Sequence, residues 1–254
     1  MFTLNVLVFE IETIPDIEGG QAIFDLQGLD DKSTVKAMIH MHQQKTGSVF
    51  LPLHLHKIVA ISVLYRGICD DIGKIVTVKS LGDENSSEAE LLKLFFEEMD
   101  AHKPDMVSWK GADFDLPVIR YRALKHSMTL PHHWHEYPYF SDLKGLMAGN
   151  YPDSGAPLNH LAKLLGFPSV EADDVWDEYQ KGNLKGIREN CELDVLKSYL
   201  IYLRYLLMDG QIDKEALEQE FTLLRDALES QNKSLQQDND GAEQTHLGVF
   251  LKAW

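Results

Sequence analysis

Residues Val6 to Pro15 read VLVFEIETIP, a strand-like apolar run with two glutamates set into it. Side chains alternate faces along a strand, so Glu10 and Glu12 point one way while Phe9 and Ile11 point the other. Two like charges side by side near a buried strand repel each other and lose solvation. A fold that keeps them needs compensation: a divalent cation, or water at the wet end of the strand.

The rest of the chain sets the frame for that pair. With 254 residues, 44% of them hydrophobic, the chain can fill one core. The expectation is one domain over residues 1–254, with an insertion at about 20–50 and a mobile linker at about 228–244. No run of about 18 uncharged apolar residues occurs, so no membrane span is expected. The start, MFTLNVLVFEIE, lacks the basic opening and cleavage site of a signal peptide. Cys69 and Cys191 lie far apart without metal-finger spacing, which suggests free thiols in the cytoplasm. A formal net charge of −16 argues against a general nucleic-acid coat but not against a local basic groove beside an acidic metal site.

Strand and helix signals alternate through the first half. HKIVAISVLYR and GKIVTVKSL are β-branched runs around a hairpin-like GICDDIG. SSEAELLKLFFEEMDAHKP has a serine cap, early glutamates, helical apolar spacing and a proline stop. DMVSW is a short strand, KGADFD a turn, and LPVIRYRALKH a helix with Pro117 in its first turn. The second half is mostly helical, with a long run from about Asn183 to Met208. This order predicts a mixed sheet flanked by helices.

Two further acids stand where a core would not want them. Asp115 sits at the junction of a glycine-containing turn and a helix, where a helix cap is the local explanation. Asp194 lies inside an apolar helix, NCELDVLKSYLIYLRYLL, where a solvated face is the ordinary alternative. Glu10, Glu12, Asp115 and Asp194 together form a set that can converge on hard cations. A pair of such ions clamps the attacking and leaving oxygens of a phosphodiester.

The surrounding residues sharpen this reading. FEIETIPD resembles motif I of the ribonuclease-H-like 3′–5′ exonuclease superfamily, SWKGADFDLPVIRYRAL its motif II, and ENCELDVLKSYLIYLRY its motif III. The chain is most similar to the predicted 3′–5′ exonucleases related to the proofreading domain of family-B DNA polymerases, as are SDLKGLM, APLNHLAKLLGFP, VWDEYQKGNL and HLGVFLKAW. The resemblance implies an α/β fold, a mixed five-stranded sheet flanked by helices with a helical C-terminal part. It also implies two Mg2+ or Mn2+ ions held by Glu10, Glu12, Asp115 and Asp194, and hydrolysis at the 3′ ends of single-stranded nucleic acid.

Three positions depart from the family pattern. Glu10 stands where the family has aspartate, which moves its carboxylate outward by roughly 1.5 Å against a Mg–O distance of about 2.0–2.1 Å. Lys110 replaces the motif II asparagine, where its ammonium either meets phosphate, weakens the metal site or reaches solvent. Asn190 holds the position of a tyrosine or histidine four residues before Asp194, and an amide orients a water but does not take its proton. The expectation is a metal-dependent exonuclease with impaired turnover. The competing expectations are a degenerate nuclease fold that binds nucleic acid or protein, and hydrolysis of a small nucleotide.

Other residues enter with less support. Arg120 and Arg122 are expected phosphate contacts, with a solvated helix face as the equal alternative. Asp142 is either part of the cleft or a helix cap. Trp109, Phe114 and Tyr121 can stack on bases, with a core anchor beside Asp115 as the alternative for Phe114, and His54 and His56 share a face at a loop-to-strand junction, either as a ligand pair or simply tolerated there. The histidines of HHWHEY lack helical ligand spacing and are expected in an exposed loop.

Overall fold

The apolar strand that opens the chain becomes the middle of a sheet. In the computed structural model, which describes residues 5–69, 73–135, 140–149, 155–169, 173–238 and 245–254, five strands lie in the order β3-β2-β1-β4-β5. β1 (Val6–Pro15) pairs antiparallel with β2 (His56–Cys69), which pairs antiparallel with β3 (Gly73–Ser80). On its other side β1 runs parallel to β4 (Asp105–Ser108), and β4 runs parallel to β5 (Phe140–Asp142). A strand with neighbours on both edges and helices on both faces must be apolar on both, as VLVF is.

The helices are α1 (Ile17–Phe24), α2 (Asp31–Thr46), α3 (Glu88–His102), α4 (Asp115–Lys125), α5 (Leu143–Ala148), α6 (Leu158–Leu164), α7 (Val175–Gln180), α8 (Leu184–Met208), α9 (Lys214–Asp238) and α10 (His246–Ala253). β1 divides the core by parity. Val6 and Val8 pack with Leu196, Tyr199, Leu200 and Leu203 of α8 and with α9 and α10. Leu7, Phe9 and Ile11 pack with Leu92, Phe95 and Met99 of α3 and Val118 and Ile119 of α4. Glu10 and Glu12 share the parity of Val6 and Val8, so they lie on the α8 side of the sheet.

Helix ends follow the local signals. Ser87 and Glu90 close a reciprocal capping box at α3. Asn183 caps α8 through Gly186 N–H. The insertion forms α1 and α2, which bury Met38 with Leu51 and Leu55 in a small core of their own.

The linker expected at about 228–244 needs correction: α9 runs on to Asp238, with Leu224 and Leu228 buried and Gln231 Nε2 donating to Val78 O at 2.6 Å. The polar residues of this stretch are the outer face of an amphipathic helix whose apolar stripe lies on the sheet side. Residues 239–244 lie outside the described part.

Candidate active site

Glu10 leaves the sheet toward α8. Its Oε1 accepts from the backbone N–H of Trp109 at 3.0 Å, just past β4, and from Ser198 Oγ of α8 at 2.8 Å. Its backbone carbonyl receives the Cys191 thiol at 3.4 Å. Glu12 takes no hydrogen bond from a described residue. Directly after it the β1–β2 ladder shifts, with Glu12 opposite Ala60 and Thr13 opposite Ile58, so Val59 of β2 bulges. A bulge bends and twists the strands locally, which suits a place where side chains leave the regular sheet.

Asp115 is the first residue of α4 and is not its cap. The cap position belongs to Phe114, whose side chain makes no capping bond, and Asp115 Oδ1 accepts from the backbone N–H of Ile11 at 3.2 Å. The carboxylate is thus buried between the start of α4 and β1, next to the glutamate pair.

Asp142 caps α5 through Gly145 N–H, and it also accepts from Lys110 N–H at 3.0 Å and Ala112 N–H at 3.2 Å. It therefore holds the shape of the turn before Asp115. Within that turn a Cβ on Gly111 would fall 1.8 Å from Ser108 Oγ, so glycine alone fits. Lys110 has φ +66°, the left-handed region that asparagine tolerates and lysine does not favour. Its ammonium lies 5.8 Å from the centre of the Phe50 ring.

α8 supplies the remaining groups. Asn190 is half-buried one turn before Asp194. Asp194 pairs with Lys197 one turn later, and the Lys197 ammonium also donates to Asn159 Oδ1 of α6 at 2.7 Å. Lys197 is 2% exposed, a buried cation that sequence reasoning passed over. An aspartate with a lysine three positions on, inside an apolar helix run, was the available signal. Ser198 was missed as well, since a serine among leucines and tyrosines announces no partner on β1.

The electrostatics show that these acids share one region. Burial first, and then the charge of Asp115, raises the Glu10 carboxyl well above the ordinary range, against the lowering effect of Ser198. Burial, Asp194 and Asp115 raise Glu12 to about 8, with Lys197 pulling it down. Burial raises Asp115 to about 7, aided by Asp142 and opposed by its bond from Ile11 and by Lys110. Burial also pushes the Cys191 thiol up, and Glu12 adds to it.

The two ions implied by the resemblance make a definite demand on these side chains. Hard cations need several carboxylate oxygens at about 2.0–2.6 Å. Asp194 is engaged by Lys197, Glu10 Oε1 by two donors and Asp115 Oδ1 by Ile11. Among the described residues no three His, Cys, Asp or Glu side chains stand together as a group able to hold a metal ion. As arranged, the side chains do not fit a pair of ions.

Beside the acids runs a cleft of about 420 Å³, lined among others by Glu12, Thr13, Phe50, His56, Phe114 and Trp176. Phe50 packs 5.9 Å from Phe114 and 5.1 Å from His56 yet stays half exposed. His56 bonds Thr13 Oγ1 at 3.0 Å and Leu51 O at 3.1 Å, and burial pushes its pKa down, so it serves as a neutral wall of the cleft. His54 lies edge-on to the exposed ring of Tyr121, while Trp109 is buried in the core.

Of the two arginines, Arg122 needs correction. Arg122 is buried and makes a bidentate pair with Glu88 and a bond to Asp16 at 2.6 Å, so no phosphate reaches it. Those acids come from α3 and the N-cap of α1, out of reach of any local reading of α4. Arg120 lies over Trp134 at 5.6 Å, on the α3–α4 side of the sheet. Of HHWHEY, His132–His135 forms a 3-10 turn with Trp134 buried, and Glu136 and Tyr137 lie outside the described residues.

Comparison with known proteins bears on the family and the fold. A family described as predicted 3′–5′ exonucleases related to the exonuclease domain of PolB matches residues 48–254. Asp115, Asn190 and Asp194 fall within the match, and Glu10 and Glu12 precede it. No curated protein matches the chain. The structure of the family B DNA polymerase from the hyperthermophilic archaeon Pyrobaculum calidifontis aligns at 16% identity and a TM-score of 0.50, over 80% of this chain and 24% of the polymerase. Product-bound exonuclease I aligns at 14% identity and a TM-score of 0.38, over 84% of this chain and 49% of that protein. The chain thus spans about a quarter of the polymerase and about half of exonuclease I. At this identity the polymerase likeness is one of fold, the mixed five-stranded sheet with its flanking helices. With most of its length matched by the family model, the chain belongs to the predicted 3′–5′ exonucleases related to the exonuclease domain of PolB.

Proposed function

We propose that the chain acts at the 3′ ends of single-stranded nucleic acid as a slow 3′–5′ exonuclease. The observation that carries this reading is the meeting of acids from β1, α4 and α8 beside an aromatic cleft. A terminal base stacks on a half-exposed ring such as Phe50 at little cost in sequence preference. The Lys110 ammonium above that ring then meets the adjoining phosphate.

Slowness follows from two side chains. Glu10 is turned onto Trp109 and Ser198, and Asn190 orients a water without accepting its proton. Loss of a general base alone costs about 10²–10⁴ in rate. The reading carries a requirement for magnesium or manganese, which Asp194 meets only by parting from Lys197. It takes residues 1–254 as one exonuclease-like domain, acting in the cytoplasm. Both cysteines are free, and no described helix is long and apolar enough to cross a membrane.

The test is a time course on 3′-labelled single-stranded DNA and RNA with manganese or magnesium, alongside Asp115→Ala and Asp194→Ala. Wild type should shorten the strand from its 3′ end, and each variant should lose at least about a hundredfold in rate. Equal trace activity in all three proteins rejects hydrolysis. The engaged Glu10 favours a second reading in that case, a binding module for 3′ ends, recognised by retained binding without cleavage.

A further inference from the structure

Arg120 does not join the acid site, and the face of the sheet it occupies carries a cavity of its own. On the side away from Glu10 and Glu12, a space of about 200 Å³ is lined by Met99, Met106, Leu116, Phe140, Trp134 and Arg120. Four of these side chains are apolar, and the other two offer only donors. Trp134 is 6% exposed, and its buried indole N–H finds no acceptor among the described residues. Buried donors are nearly always paired, and one left alone is costly. Arg120 is exposed, with its guanidinium 5.6 Å from the centre of the Trp134 ring. Stacking on a ring holds a guanidinium in place and leaves its N–H edge available for an anion. Among the described residues none accepts a hydrogen bond from it.

We propose that this cavity binds a small apolar carboxylate. Its ring or branched chain lies among Met99, Met106, Leu116 and Phe140, and its oxygens accept from Arg120 and from Trp134 Nε1. The carboxylate gives the orphaned indole its missing acceptor and the guanidinium its counter-charge. Size narrows the class further. Drug-sized ligands fill roughly 300–1,000 Å³, so this space takes one ring or branched chain and no more. A bare phosphate gains nothing from the apolar walls, and a nucleotide is too large. The two methionines adapt their shape to whichever apolar group enters. Leu116 follows Asp115 in α4, and Phe140 opens β5, so the ligand rests against two elements that shape the acid site without touching its acids. The lining residues include none of the four acids, so this inference stands apart from the exonuclease reading.

The experiment is calorimetric titration of the full chain with phenylacetate, using phenylacetamide as the uncharged control. Phenylacetate should bind one to one, and phenylacetamide at least tenfold more weakly. Arg120→Gln, a change on an exposed helix position, should weaken phenylacetate binding at least tenfold. N-acetylphenylalanine presents the same chemistry as the end of a polypeptide, and it should bind more weakly than phenylacetate because the space has no room for its acetylamino arm. Equal binding of acid and amide, binding of neither, or unchanged affinity in Arg120→Gln overturns the proposal. Tighter binding of N-acetylphenylalanine overturns the free acid as the ligand, in favour of a partner's carboxyl end.

A measurement on the wild type needs no variant. The indole N–H resonance of Trp134 should shift as phenylacetate saturates the protein, since that proton gains an acceptor. A resonance that stays in place while phenylacetate binds puts the ligand elsewhere and overturns the proposal.

Discussion

Glu10 commits one of its two carboxylate oxygens to the protein itself. A shorter side chain cannot span the distance to both Trp109 N–H and Ser198 Oγ, which now lie 3.0 and 2.8 Å from Oε1. Glu10→Asp should therefore lower stability by about 1–2 kcal/mol, measured by urea unfolding, because a buried donor is left unpaired. The same change should raise the manganese-dependent rate by roughly tenfold, since misplacements near 1 Å carry penalties of that order or more. A rate that falls instead would show a site adapted to glutamate.

Glu12 and Asp115 add a pH signature at the same scale. Their carboxyls hold protons up to about 8 and about 7 in the folded chain, above the ordinary values near 4.5 and 3.8. The native state then binds more protons than the unfolded one between those limits. The associated stability is complete below about pH 4 and is lost as pH rises through 7 and 8. Glu12→Gln should stabilise the protein by on the order of 2 kcal/mol at pH 8.5 and by nothing measurable at pH 4, read from paired melting curves.

Single residues also show where sequence reading stopped. Asp115 has the local look of a helix cap, and only the fold reveals that its carboxylate serves Ile11, 104 residues away in the chain. The parity of Glu10 and Glu12, by contrast, follows from strand geometry alone.

Among elements, α10 is tied to α8 by its histidine as well as by its buried Leu247 and Phe250. Burial alone would lower the His246 pKa, but bonds to Glu189 and Glu192 of α8 outweigh it and bring the value to about 9. A pKa raised above the unfolded value near 6.5 gives stability that is full below pH 6.5 and lost as pH climbs through 9. His246→Gln should weaken the docking of α10 by about 1–2 kcal/mol at pH 6.5 and have little further effect at pH 10, as seen in amide exchange of Leu247 and Phe250.

Long or well-capped elements were readable because periodicity and caps act locally, as for α3 and α8. β5 was not, since three residues carry no period and the strand exists only by pairing with β4. The end of α9 was misread for the opposite reason. Its outer face is so polar that composition hides the stripe of Leu217, Leu224 and Leu228.

At the scale of the molecule, two buried ion clusters tie distant parts together. Arg66 of β2 meets Glu220 of α9 through bonds of 2.7 and 2.8 Å, and Arg122 joins α4 to α3 and to the N-cap of α1. Removing one partner leaves an uncompensated buried charge. Glu220→Ala should cost about 3–5 kcal/mol, enough to shift a thermal unfolding curve by many degrees. An equally shaped apolar replacement of both partners would cost far less. Neither cluster was legible in the sequence, because every partner is far off along the chain.

The central position of β1 has a consequence for how the molecule comes into being. The strand is made before its neighbours: its edges await β2 and residues 105–108, and its acidic face awaits α8, which ends at Met208. Contacts this distant in sequence are slow to form and follow the nearer ones. Glu10 and Glu12 therefore keep an ordinary carboxylate's acidity until α8 is in place. Their unusual properties are acquired late, when α8 closes over a sheet that is already paired. Of the four acids, the pair made before Asp115 and Asp194 is finished only with α8.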